Sequence, residues 1–110
     1  MNSQVPETIL SQLGGSRFIA MTGAKEFVGD VNSLKFKIPK NGSKANYCKV
    51  ILEPTDLYTV EFIKVIPSKF YKKTFTYTEP KWEVLQTYEN IDATQLQTIF
   101  TQYTKMHTYL

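Results

Sequence analysis

Between Ser33 and Pro39 the chain reads SLKFKIP, and no other stretch constrains the fold as much. Leu34, Phe36 and Ile38 alternate with Lys35 and Lys37. A period of two puts the three apolar side chains on one side of an extended chain and both ammonium groups on the other, which a helix cannot do. The segment is a strand with one covered and one wet face. Pro39 stops it, and KNGSKAN supplies a reversal in which Asn41-Gly42 suits the positive φ of a tight turn. YCKVILEP then resumes as a second strand ending before Pro54. The pair is expected to form a hairpin whose buried side is Leu34, Phe36, Ile38, Val50 and Leu52.

The alternation recurs downstream. After the turn PTD, LYTVEFIKV sets Tyr58, Val60 and Phe62 against Thr59, Glu61 and Ile63. In KWEVLQTYE, Trp82, Val84, Gln86 and Tyr88 alternate with Glu83, Leu85 and Thr87. Between these strands, IPSKFYKKTFTYTEPK is polar, aromatic and bounded by prolines, which predicts either a long loop or a protruding pair of short strand ends. Upstream, RFIAMT is apolar and partly β-branched and reads as a strand followed by a glycine turn at GAK.

Helical spacing belongs to the two ends. In VPETILSQLGG, Ile9, Leu10 and Leu13 share a face, Pro6 suits a first turn, and Gly14 and Gly15 end the helix. Near the C-terminus Asp92 is an N-cap, Gln95 completes a capping box, and Leu96, Ile99, Phe100, Tyr103, Met106 and Leu110 recur at helical intervals. The expected fold is α+β: an antiparallel sheet of about five or six strands in hairpin sequence, with an N-terminal and a C-terminal helix packed on one face. A length of 110 residues fits one domain, 1–110, and 42% hydrophobic content is enough for one core.

Reactive groups are sparse. One histidine, His107, falls near the end of the last helix, where a cationic imidazole caps free carbonyls. One cysteine, Cys48, stands among Tyr47, Val50 and Leu52 and reads as a small core residue; alone it makes no internal disulfide, as in a reducing compartment. Cys48 and His107 are far apart with no local signature of a thiolate pair. GGSRF and GAKEF lack the spacing of a nucleotide-binding loop, and Glu53 and Asp56 flank a proline turn rather than forming a carboxylate site. The chain is therefore expected to act by binding, without catalytic residues, metal or cofactor. No apolar run approaches the roughly 20 residues that cross a bilayer, and MNSQVPETIL has no leader character, so a cytoplasmic protein with no membrane contact is expected.

Two surfaces compete for the binding role. The net charge is only +3, but no acid lies between Asp30 and Glu53, a span holding Lys35, Lys37, Lys40, Lys44 and Lys49. Such a row, with Tyr47, Tyr71, Tyr77 or Trp82 on the same face, suits phosphates and unpaired bases. It equally describes the solvated face of a strand. The second surface is SKFYKKTFTYTEP, where Lys69, Lys72 and Lys73 interleave with Phe70, Tyr71, Phe75 and Tyr77, and Trp82 follows. Exposed rings of this kind anchor protein contacts. A homodimer through an uncovered sheet edge or face is a further possibility.

The strings RFIAMTGAKEFV, SLKFKIPKNGSKANYCKVIL, LYTVEF and DATQLQTIFTQYTKMHTYL resemble a family of small proteins encoded by bacteriophages, prophages and conjugative elements, with Phe70 to Lys81 outside the resemblance. It implies a bacterial cytoplasm, a mobile-element gene, and neighbours concerned with replication, transfer or counter-defence; in that context a host defence or regulatory protein is the partner expected of the protein-contact surface. It brings no catalytic residues with it.

Overall fold

The strict alternation at Leu34, Phe36 and Ile38 is realised as the second strand of a five-stranded antiparallel sheet. We describe residues 4–106 of the chain from a computed structural model. In chain order the elements are α1 (Gln4–Leu13), α2 (Gly15–Thr22), β1 (Lys25–Gly29), β2 (Ser33–Lys37), β3 (Tyr47–Leu52), β4 (Tyr58–Ile66), the short β5 (Phe70–Tyr71) and β6 (Thr76–Tyr77), β7 (Lys81–Ile91), and α3 (Leu96–Thr104) after a 3-10 turn at Ala93–Gln95. The main sheet runs β1-β2-β3-β4-β7, while β5 and β6 pair only with each other. The fold is α+β, as the sequence predicts, with every main-sheet neighbour antiparallel.

All three helices cover one face. Ile9 and Leu13 of α1, Phe18 of α2, and Leu96 and Phe100 of α3 close over Leu34, Phe36, Cys48, Val50, Val60 and Phe62. Rings dominate this layer: Phe18 meets Phe100 at 4.9 Å and Phe36 at 5.6 Å between centroids, and Tyr103 stacks on Phe62 at 4.1 Å. Edge and offset contacts of this kind add to the area each ring removes from water. Asp92 accepts from Thr94 N–H at 3.2 Å while Gln95 accepts from Asp92 N–H at 3.0 Å, so the predicted capping box starts the C-terminal helix. That helix ends at Thr104, with Lys105 left-handed at φ 62 and Met106 beyond it. His107 and Leu110, read above as parts of the last helix, lie outside the described residues.

Four expectations are corrected. RFIAMT is helix α2 and not a strand: Gly14, at φ 128, turns the chain immediately after α1, and buried Phe18 and Thr22 stand four apart on one face. Gly23 closes α2 in the left-handed region, donating to Ile19 C=O at 2.9 Å. The first strand is KEFVG instead, beginning inside the stretch read as a turn. Asn41-Gly42 does not take positive φ, and residues 38–46 form a longer loop. The Asn41 amide organises it, donating to Pro39 C=O and Ala45 C=O and accepting from Ser43, while Gly42 N–H caps Thr104 C=O at 2.7 Å. Last, Trp82, Val84, Gln86 and Tyr88 do not share a face. The β4–β7 register slips between Phe62↔Gln86 and Ile63↔Val84, so Leu85 and Tyr88 join the helix-side packing.

Candidate functional site

The face without helices carries what the sequence placed opposite the core. Lys35 on β2 pairs with Lys49 on β3, which pairs with Glu61 on β4; Lys37 pairs with Tyr47, and Tyr47 with Ile63. Directly opposed ammonium groups repel. The two lysines part: Lys49 has Glu61 on its other side, and Lys35 reaches across the sheet until its Nζ lies 4.8 Å from the centre of the Trp82 ring and 5.8 Å from that of Tyr47. The two rings are 6.2 Å apart. These three side chains span β2 to β7 over the face on which Ile63 stands, and Ile63, expected on the outer side, is there but fully buried at 0% exposure. A small second apolar layer thus sits beneath a cation–π contact.

Five lysines contiguous in sequence are not contiguous in space. Lys35, Lys37 and Lys49 share the helix-free face, whereas Lys40 and Lys44 are exposed on the loop whose Gly42 caps α3. The acid-free run also acquires acids from its neighbours: Glu26 of β1 lies 3.9 Å from Lys37, and Glu61 faces Lys49. The face is mixed in sign.

The aromatic segment is the protruding form of its two predicted alternatives. Beyond Ile66↔Lys81 the β4–β7 ladder breaks at Pro67 and Pro80, neither of which can donate. Pairing resumes where Thr78 N–H donates to Lys69 C=O and Lys69 N–H to the Thr78 hydroxyl, both at 2.8 Å. Phe70↔Tyr77 and Tyr71↔Thr76 complete a two-stranded arm with a turn at residues 72–75. Every residue from 67 to 84 is exposed. Phe70 packs on Tyr77 at 4.8 Å and meets Phe75 edge-on at 6.3 Å, so three rings form one knob with Tyr71 beside it and Trp82 at its root.

Phe75 is the most informative residue of the arm. Its φ is 54, in the left-handed region that glycine or asparagine occupies with less strain, and its side chain is 82% exposed. Neither the backbone nor the core explains a phenylalanine there. The root of the arm, by contrast, is held firmly. Asn46, just before β3, donates from Nδ2 to Val65 C=O and accepts Val65 N–H at Oδ1, both at 2.8 Å. An asparagine bounding a strand hints at such a clamp in sequence, but its partner 19 residues on is visible only in the fold.

Cys48 is buried in the helix-side core, where desolvation, and after it the charge of Glu61, push its thiol far above the ordinary range. It is chemically quiet. Among the described residues no group of three or more His, Cys, Asp and Glu side chains is placed to hold a metal ion, and no helix is long and apolar enough to cross a membrane. An open cleft of about 350 Å³ at the far end of β4 and β7 is lined by Glu53, Pro54, Thr55, Thr59, Glu89 and Asn90. No protein-family model, no curated protein and no solved structure matches the chain.

Proposed function

We propose that this is a small phage or mobile-element accessory protein that acts by binding, and that it engages a host protein, as an inhibitor or modulator of defence or regulation, through the arm of residues 67–80. The observation that carries the contact is Phe75: an 82% exposed ring held at φ 54 on the tip of a ribbon that contributes nothing to the core. A strained conformation around a residue that takes no part in the core points to a role outside the molecule. The host and mobile-element context rests on the sequence resemblance. The alternative, nucleic acid on the lysine-rich hairpin 33–50, draws less support, because Lys40 and Lys44 leave the row and Glu26 and Glu61 stand against Lys37 and Lys49.

The test is affinity capture from bacterial extract with wild type, Phe75→Ala and a variant in which residues 67–80 are replaced by Asn-Gly. A protein retained by wild type and lost from both variants is the expected result. Equal retention by the arm-less variant refutes the assignment. Salt-sensitive binding of labelled single-stranded DNA that depends on Lys35 and Lys49, with no protein retained, transfers the function to the hairpin.

A further inference from the structure

The charge of the arm narrows what it can hold, given the protein-contact reading above. Residues 66–81 carry Lys69, Lys72, Lys73 and Lys81 against the single acid Glu79, while at the root Lys64 stands opposite Glu83 across the ladder. Among the described residues Lys37 lies within salt-bridge distance of Glu26, and no lysine of the arm has a carboxylate that close. Within residues 67–80 three lysines stand against one acid, so the arm is net basic. Lys72, Lys73 and Phe75 occupy one four-residue turn, so two lysines share the turn with the most exposed ring.

The arrangement of the rings separates polypeptide from nucleic acid. Bases stack on open ring faces. Here Phe70 and Tyr77 pack against each other at 4.8 Å, Phe75 stands edge-on to Phe70, and the Trp82 ring already lies under Lys35 Nζ at 4.8 Å. A knob of mutually packed rings surrounded by cations is complementary to apolar side chains surrounded by carboxylates. The opposite end of the β4–β7 ribbon, with Glu53, Asp56 and Glu89, is acidic, so an acidic partner is steered to the arm and away from the other end.

We infer that the arm binds an acidic polypeptide segment in which Asp or Glu residues flank an aliphatic or aromatic anchor. The anchor packs on Phe70, Phe75 and Tyr77, and the carboxylates pair with Lys69, Lys72 and Lys73. The experiment is selection of a displayed library of random 16-residue peptides on the full-length protein at low salt. Enriched peptides are then measured against wild type, Phe75→Ala and the Lys72→Glu, Lys73→Glu double variant; all three changes fall on exposed residues, and circular dichroism confirms that the fold is kept. The expected result is enrichment of Asp and Glu around Leu, Ile, Phe or Trp, binding that falls with salt, and a loss of roughly tenfold or more in either variant, the scale of one good interface anchor. Arm-dependent peptides that are neutral or basic overturn the acidic class and leave the protein-contact reading standing. Peptides that bind both variants as well as wild type, or no enrichment at all, overturn both. A single-stranded dT20 probe that binds the arm more tightly than any selected peptide overturns it in favour of nucleic acid. Self-association in sedimentation that both variants abolish overturns it in favour of a second copy seated at the acidic end.

Discussion

Replacing Asn46 with alanine tests how the arm is aimed. The Asn46 side-chain amide makes two bonds of 2.8 Å to the backbone of Val65, while the Asn46 backbone N–H donates to Ile63 C=O at 2.9 Å. The side chain thus supplies the donor and acceptor that one more paired residue of β3 would offer, and carries the ladder to the foot of the arm. A neutral hydrogen bond contributes about 1 kcal/mol net, and an unpaired, partly buried backbone group costs about 1–3 kcal/mol. Val65 is half-buried and water reaches it in part, so the loss for both groups together is about 2 kcal/mol. In urea this moves the unfolding midpoint down by roughly 1 M at an unchanged slope. Hydrogen exchange at the Val65 amide should speed up in parallel. Asn46→Asp sharpens the test: its carboxylate still accepts Val65 N–H but repels Val65 C=O, so stability returns in part when acid protonates it. If Asn46→Ala shifts stability by less than about 0.5 kcal/mol and the Val65 amide stays protected, the clamp is not what holds the arm.

Other perturbations separate the core from the surface. Replacing residues 67–80 by Asn-Gly should leave far-UV circular dichroism and the melting temperature nearly unchanged, because every residue removed is exposed; loss of cooperative melting would show that the arm supports the fold. Phe36→Ala removes a ring at 0% exposure that meets Phe18, Phe27 and Phe100, and should cost about 3–5 kcal/mol in denaturant unfolding. Cys48 should resist iodoacetamide in the native state and react once urea unfolds the chain, since burial and Glu61 both disfavour the thiolate; labelling without unfolding contradicts this. Tyr58 and Tyr103 are both raised above the ordinary tyrosine value of 10.0, chiefly by desolvation, with Asp56 adding to the first and Tyr88 to the second, while a hydrogen bond from Gln12 works the other way at Tyr58. Their phenols stay protonated in the folded chain at pH values where the unfolded chain ionises, so stability is full below about pH 10 and falls as pH rises beyond it. A flat denaturation profile from pH 9 to 11.5 would remove the two tyrosines from the account.

What was legible in the sequence follows the strength of each local signal. Leu34, Phe36 and Ile38 show their pattern because each faces a covered sheet surface, and the capping box at Asp92 and Gln95 shows because it is made by neighbours three residues apart. RFIAMT misleads because six residues fit both periods, and only the left-handed turns at Gly14 and Gly23 decide between them. The slip at Leu85 is invisible in KWEVLQTYE, where the alternation continues unbroken through the bulge. At the candidate surface, the exposed rings of the arm follow from its composition and bounding prolines. The division of the lysine row does not, because the acids that face Lys37 and Lys49 arrive from β1 and β4, and the loop that removes Lys40 and Lys44 is drawn to α3 by Gly42.

The break in the ladder at Pro67 and Pro80 has an evolutionary consequence. Between those two prolines a substitution meets no core neighbour that must adjust to it, so the twelve positions 68–79 are hardly screened by foldability. Under the proposed function, a lineage that must follow a changing host rewrites its specificity there, one residue at a time, on a scaffold that never has to be repacked. The same freedom makes the scaffold a candidate frame for grafting recognition ribbons of other design.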